Sequence, residues 1–368
     1  MASQLKDIYS PAFYDKFSEV LADVVPSFDK KKFKKLIFDK EWQNRELKER
    51  MKHTSRVLHT FLPKQFDEAS GMINLIIERL IRNRFTESSL EFMFFPDYIE
   101  TYGIDHFDTS VKSIEYITQF TSCEFAVRPF IIKYGGKMMS QMYQWSLHEN
   151  HKVRRLASEG SRPRLPWAMA VPFLKADPAL VLPILENLKN DPSEWVRRSV
   201  ANNLNDIAKD HPDIVIKIAK RWKGISKETD ALIKHACRTL LKQAHPSIIK
   251  HYGLHNGQNL KVTNFNILNN KLKIGEHLKF SFTLHNNDSK ASVARLEYGI
   301  FYLRKNGTHS KKVFKISERQ LTAKEKLTIT RKQSFKLITT RKFYAGKQML
   351  SIIVNGQERQ LGSFELVQ

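Results

Sequence analysis

The chain has 368 residues, of which 41% are hydrophobic, and its formal net charge is +23 at neutral pH. This length predicts two or three domains, and so large a positive charge favours an anionic partner, either nucleic acid or a membrane surface, over a merely soluble basic protein. Two cysteines are too few for a disulfide framework, and the sequence has neither a signal-peptide pattern nor an apolar run long enough to span a membrane. We therefore expect a cytoplasmic monomer.

Apolar residues recur at three- and four-residue spacing along the first two thirds of the chain. Two early sets are Phe13, Phe17, Val20 and Leu21, and then Ile73, Ile76, Ile77, Leu80 and Ile81. This spacing is typical of amphipathic helices, and prolines such as Pro26, Pro63 and Pro96 separate them. The sequence thus predicts an all-α domain over residues 1–252.

From about residue 120 the helices repeat one another. The motif Val196-Arg-Arg is echoed at Val153, 43 residues earlier, and at Ile233, 37 residues later. Periods near 40 predict a HEAT-like repeat solenoid, which has a concave side. The polar stripes predicted to face that side are Arg155, Glu159 and Arg162 in one repeat, and Arg198, Asn202 and Asp206 in the next.

The pattern changes to a two-residue alternation after a predicted linker at residues 253–259. Strands predicted at 278–284, 296–303 and 349–354, with turns between them, indicate a C-terminal all-β immunoglobulin-like sandwich over residues 260–368. This segment holds 21 Lys and Arg against 7 Asp and Glu, so we expect it to be a second contact with a polyanion. Its candidate contacts with the backbone of such a polyanion are Lys311, Lys312, Arg331, Lys332, Arg341 and Lys342.

The segment His151–Trp167 carries the most informative polar pattern. Arg155, Glu159 and Arg162 are spaced at i, i+4 and i+7, so they share one face if the helix runs that far. One carboxylate between guanidinium groups suits a phosphate-lined surface with a single anion placed to meet a developing positive charge. Nearby cations should keep Glu159 ionised. The structural alternative is that Glu159 simply forms ion pairs with its neighbours on the helix.

The segments Arg154–Trp167 and Trp195–Asp206, with the HEAT-like repeats and the β-domain, resemble the DNA alkylation repair glycosylases of the AlkC type. The first segment is specific, because few HEAT helices end in Glu-Gly-Ser-Arg-Pro, whereas the second is common among HEAT proteins. The resemblance implies a monofunctional glycosylase that removes 3-methylcytosine and 3-methyladenine from duplex DNA. It also implies that the damaged base is not flipped fully out of the helix, unlike in most glycosylases.

The residue chemistry fits this activity. An N3-methylated base is cationic and leaves readily, and the sugar becomes oxocarbenium-like as the bond breaks. A carboxylate beside the sugar stabilises that cation and orients or deprotonates the attacking water, and we expect Glu159 to do so. The resemblance adds Glu124 and Asp206 as acids around the lesion, and the proline-flanked Trp167 is expected to lie against a sugar or base.

Each assignment has a structural alternative. Glu124 could be an ordinary first-turn helix acid, Asp206 an acid of any HEAT helix, and Trp167 a core residue. Guanidinium forks suit phosphates, although single arginines are more often solvated surface residues. The predicted DNA contacts are Arg154, Arg155, Arg162 and Arg198. The sequence has no metal-ligand or cofactor motif, so we expect neither metal nor cofactor.

A non-catalytic HEAT-repeat scaffold that binds nucleic acid or a protein is the competing hypothesis, because most solenoids are scaffolds. A solenoid that reads RNA fits less well, since the sequence lacks a base-reading pair in each helix. The acid at Glu159 with a Pro-Trp break after it favours the enzyme, because a scaffold has no use for that combination.

Overall fold

The computed structural model describes residues 4–85, 90–254, 259–338 and 341–368. These residues form sixteen α-helices followed by eight β-strands, which confirms the predicted helical repeat region and immunoglobulin-like sandwich. The chain divides into two compact units. The first comprises the residues up to Val215 and Arg221–Ala236, and the second comprises Ile216–Lys220 and Cys237–Gln368.

The helices of the first unit carry the candidate site, and the last two helices belong to the second unit. Their bounds are α1 (Pro11–Val24), α2 (Lys30–Ile37), α3 (Leu47–His59), α4 (Phe66–Arg82), α5 (Phe94–Tyr102), α6 (Phe107–Ile117), α7 (Val127–Tyr134), α8 (Gly136–Trp145), α9 (His151–Gly160), α10 (Pro172–Ala176), α11 (Leu182–Leu188), α12 (Glu194–Ile207), α13 (Pro212–Trp222), α14 (Lys227–Ala236), α15 (Arg238–Lys242) and α16 (Pro246–His251).

Helices α9 and α12 are the repeat helices that position the site. The side chain of Asn150 caps α9 by accepting a hydrogen bond from the backbone N–H of Lys152. At the other end Gly160 permits close packing, because a Cβ there would lie 2.5 Å from the Val127 side chain. The helix ends at Gly160, so Arg162 lies beyond it rather than on its face. Helix α12 packs against both α9 and α14, as stacked repeats require.

The strands form two sheets that enclose one apolar core. Their bounds are β1 (Leu260–Ile267), β2 (Lys271–Lys273), β3 (His277–Asn286), β4 (Ser292–Leu303), β5 (His309–Leu321), β6 (Lys326–Ser334), β7 (Gly346–Val354) and β8 (Gln357–Val367). One sheet has the order β1-β3-β6 and the other β2-β8-β7-β4-β5, and β2 pairs with β8 in parallel while the remaining pairs are antiparallel. The three strands predicted from the alternating pattern lie within β3, β4 and β7.

Helices α15 and α16 belong to the second unit, and residues of this segment lie close to the turn between β7 and β8. Ala244 and Ile249 lie close to Gly356, whose φ of +80° makes the turn between β7 and β8. Of the predicted linker 253–259, residues 255–258 lie outside the described residues. Within the described ranges, no helix is long and apolar enough to cross a membrane.

Candidate active site

A cavity of about 370 Å³ lies beside α9, the turn before α7 and the segment that follows α9. Its lining includes five predicted site residues: Glu124, Arg155, Glu159, Arg162 and Trp167. The fold therefore places two carboxylates, two guanidinium groups and an indole around one space.

Glu159 lines the cavity, and both of its carboxylate oxygens accept hydrogen bonds from other side chains. Its side chain is almost buried, and the whole residue is 6% exposed. Oε1 accepts a hydrogen bond from Arg162 Nη1 at 2.6 Å, and Oε2 accepts one from Ser199 Oγ at 2.6 Å. Charge-assisted bonds of this length fix the orientation of a carboxylate.

Arg162 joins Glu159 to a second acid. Its Nε and Nη2 atoms both lie 2.8 Å from Asp206 Oδ2, and Lys209 donates to the other oxygen of Asp206 at 2.8 Å. Burial by itself would lower the pKa of Arg162, but the attraction of Glu159 and Asp206 outweighs burial and raises it. Asp206 is 2% exposed and does not line the cavity, so it touches the site through Arg162.

Arg128 supports the segment that carries Arg162 and Trp167. Its Nη1 donates to the carbonyls of Gly160 at 2.9 Å and Arg162 at 2.8 Å, and its Nε donates to Met169 at 2.6 Å. Burial, together with the charge of Arg162, lowers the pKa of Arg128 to about 10. Arg128 was not predicted from the sequence, because spacing along the chain contains no information about these distant carbonyls.

The second carboxylate at the cavity belongs to Glu124. Its Oε2 accepts hydrogen bonds from Arg155 Nη1 and from Ser122 Oγ, both at 2.8 Å. The guanidinium of Arg155 also lies 4.3 Å from the centre of the Trp195 ring. Trp195 lines the cavity as well, although the sequence marked it only as the first residue of the segment Trp195–Asp206. Its i, i+4 spacing from Ser199 is the pattern that could have marked it as facing the site.

Comparisons with known proteins match both parts of the chain. A family model described as DNA alkylation repair enzyme matches residues 73–242, which contain every predicted site residue of the helical region. A second model, the C-terminal Ig-like domain of YhaZ, matches residues 261–368. The Bacillus subtilis (strain 168) protein named "Uncharacterized protein YhaZ" is 42% identical over 364 residues, which are 99% of each chain.

One solved structure matches throughout. Pseudomonas fluorescens alkylpurine DNA glycosylase AlkC, bound to DNA containing an abasic site analog, is 33% identical to this chain, with a TM-score of 0.93 and coverage of 100% of both chains. The chain belongs to the AlkC family of DNA alkylation repair enzymes. The family resemblance inferred from its sequence is therefore confirmed.

In this AlkC-family chain Trp167 lies on the irregular segment after α9 and is 64% exposed. Its φ of +66° is in the left-handed region, which is unfavourable for a bulky residue. Lys48 of α3 donates to the Trp167 carbonyl, and its ammonium lies 5.0 Å from the centre of the Phe125 ring. A residue from an early helix thus holds the backbone that presents this indole.

The two remaining arginines lie in different settings. Arg198 is exposed and lines a separate, more open depression with Lys227 and His235. Arg154 forms a two-pronged ion pair with Asp191, at 2.6 and 3.1 Å, and its Nη1 donates to two carbonyls of the turn before α9. Arg154 does not line the cavity, and most of its N–H groups are occupied by the protein.

The repeat explains the setting of Arg154. Arg197, which lies 43 residues later, donates in the same way to the carbonyls of Asp191 and Pro192, at 2.6 and 2.9 Å. These arginines close successive turns between repeats. The residues after them, Arg155 and Arg198, line the cavity and the open depression, and Arg197 lines the depression as well. Across the described ranges, no group of three or more His, Cys, Asp or Glu side chains is arranged to hold a metal ion.

Proposed function

We propose that this chain is a monofunctional DNA glycosylase that hydrolyses the N-glycosidic bond of N3-methylated bases, 3-methylcytosine and 3-methyladenine, in duplex DNA. Membership of the AlkC family and the likeness to the P. fluorescens glycosylase over the whole chain support this proposal. The observation that carries it is the Glu159 carboxylate, which is held at both oxygens in the wall of a cavity shared with Glu124 and Trp167.

The reaction begins when the bond between C1′ of the sugar and the base nitrogen breaks. The bonding electrons leave with the methylated base, which changes from a cation to a neutral molecule, and C1′ becomes positively charged. The Glu159 carboxylate stabilises this charge. A water molecule then adds its oxygen to C1′, and its proton passes to a carboxylate and on to solvent.

The other residues have distinct proposed roles. Glu124 helps to hold the water, since it is the second carboxylate at the cavity. Trp167 lies against the sugar or base through its exposed indole. Asp206 acts as a positioning residue, because its charge reaches the site through Arg162. In this proposal the catalytic water is held by Glu124 and Glu159, and Arg155 and Arg162 fix the positions of these two carboxylates.

The arginines divide between DNA contact and internal support. Arg155 and Arg198 are the proposed phosphate contacts of the helical unit, because both line open cavities or depressions. We assign Arg162 to holding the two acids, because it forms ion pairs with both, and Arg154 to closing a turn, because it does not line the cavity. The basic β-sandwich is the second proposed DNA contact.

The decisive experiment incubates the purified protein with methylated duplex DNA and identifies the released bases by chromatography and mass spectrometry. We expect N3-methylated bases from the unsubstituted protein. Glu159→Gln should lower the rate by a factor on the order of 100 to 10,000, as expected when a positioned catalytic acid or base is lost, while its affinity for duplex DNA stays nearly intact.

Glu149→Gln is the matched control, because Glu149 is an exposed glutamate ten residues before Glu159. Its rate should equal that of the unsubstituted protein. Full activity in Glu159→Gln would remove the role assigned to Glu159. Tight DNA binding by the unsubstituted protein without any base release would favour the scaffold hypothesis instead.

A further inference from the structure

A buried serine on the next repeat helix reaches Glu159. Ser199 of α12 is 2% exposed, and its Oγ lies 2.6 Å from Glu159 Oε2 and 3.0 Å from Ser158 Oγ. No feature of α9 itself supplies this contact, because Ser199 is 40 residues further along the chain. The contact joins two repeats at the catalytic carboxylate.

The direction of these hydrogen bonds follows from the chemistry of the groups. A hydroxyl carries one proton, and an ionised carboxylate can only accept. Ser199 therefore donates to Glu159, which is the nearer acceptor, and accepts from Ser158. One turn further along α12, the amide of Asn203 donates to the Ser158 carbonyl at 2.7 Å and to Ser161 Oγ at 3.3 Å, so both Ser199 and Asn203 join α12 to the C-terminal end of α9.

We infer that Ser199 is a positioning residue for the glycosylase reaction, which fixes the orientation of the Glu159 carboxylate. This inference rests on the proposed function. Arg162 alone contacts one oxygen and leaves the carboxylate able to rotate about its last bond. A second donor on the other oxygen fixes the carboxylate plane, and donation to an ionised group favours its charged form.

Two consequences distinguish this role from a structural one. Ser199→Ala should lower the single-turnover rate at pH 8 by roughly tenfold, the effect of one charge-assisted hydrogen bond. It should also move the acidic limb of the pH–rate profile up by about one pH unit, because a carboxylate with one donor fewer protonates more readily. Loss of folded protein alone would lower the rate by the same factor at every pH.

The test measures single-turnover base release between pH 5 and 9 on a duplex with one N3-methylated base. Ser199→Ala is compared with Ser199→Thr, which keeps the hydroxyl, and with Ser146→Ala. Ser146 is an equally buried serine that bonds to the Tyr143 carbonyl and to Asn187. We expect the acidic limb of the pH–rate profile to shift in Ser199→Ala only, and Ser199→Thr to keep the original profile. All three variants should bind duplex DNA with an abasic site as tightly as the unsubstituted protein does.

A ¹³C NMR titration of the glutamate carboxyl groups tests the same inference without measuring turnover. The Glu159 signal is assigned by its absence in Glu159→Gln. Its protonation midpoint should rise in Ser199→Ala and stay in place in Ser146→Ala. The role of Ser199 is overturned if the Glu159 midpoint does not move in Ser199→Ala. It is also overturned if Ser199→Ala is active and the acidic limb of its pH–rate profile does not move. Absence of base release from the unsubstituted protein overturns the glycosylase function itself and is recognised before any variant is compared.

Discussion

Replacing Arg162 by methionine should strongly destabilise the helical unit. The substitution keeps much of the side-chain volume but removes the cation that lies between Glu159 and Asp206. The side chains of these two acids are 8% and 3% exposed, so their charges would be left buried. Ser199 would still donate to Glu159, and Lys209 would still pair with Asp206.

The magnitude follows from the bonds that are lost. Arg162 makes one charge-assisted contact with Glu159 and a two-pronged contact with Asp206. At about 1.5–3 kcal/mol for each acid, and with methionine recovering part of the packing, we expect a loss of about 3–5 kcal/mol in the free energy of unfolding. For a unit of this size that corresponds to a fall in Tm of roughly 6–20 °C.

Arg164 offers a matched control two residues away. It pairs with Asp210 through side chains that are 30% and 27% exposed, and such pairs contribute about 0.2–1 kcal/mol. The assay is thermal and urea unfolding at pH 7.5, followed by circular dichroism at 222 nm, which reports the helices. If Arg162→Met were no less stable than Arg164→Met, the buried ion network would not stabilise the site, and the reasoning would be refuted.

Two further predictions concern pH and salt. Burial, together with the neighbouring Asp97, raises the pKa of Glu100 to about 7. Folded Glu100 therefore binds its proton more tightly than the unfolded chain does, and the resulting cost to stability grows as the pH rises from about 4.5 to 7. Glu100→Gln should raise Tm at pH 8 and not at pH 4.5, and an equal change at both pH values would contradict the assignment. Arg331→Ala, at an exposed position of β6, should reduce the slope of log Kd against log salt concentration by about 1. Lys311→Ala should change this slope less, because its ammonium already pairs with Glu358 at 2.7 Å, and an unchanged slope in Arg331→Ala would remove Arg331 from the DNA contacts.

Much of the architecture follows from the sequence because periodicity is a local property. Apolar spacing of three and four residues located helices such as α1 and α4, and two-residue alternation located β3, β4 and β7. The same local information placed Arg155 and Glu159 together on α9, where both line the cavity. Spacing alone did not show that α9 ends at Gly160, before it reaches Arg162.

The sequence by itself determined the fold class and the family, and it predicted Glu159 as the acid of the site. Only the tertiary structure decided what surrounds that acid, because the partners come from distant segments. Ser199 is 40 residues from Glu159, Asp206 is 44 from Arg162, and Lys48 is 119 from Trp167. The spacing of residues along one helix shows which face they share, but the groups that meet that face depend on how the repeats stack. Buried hydrogen bonds between repeats therefore became visible only once the chain was folded.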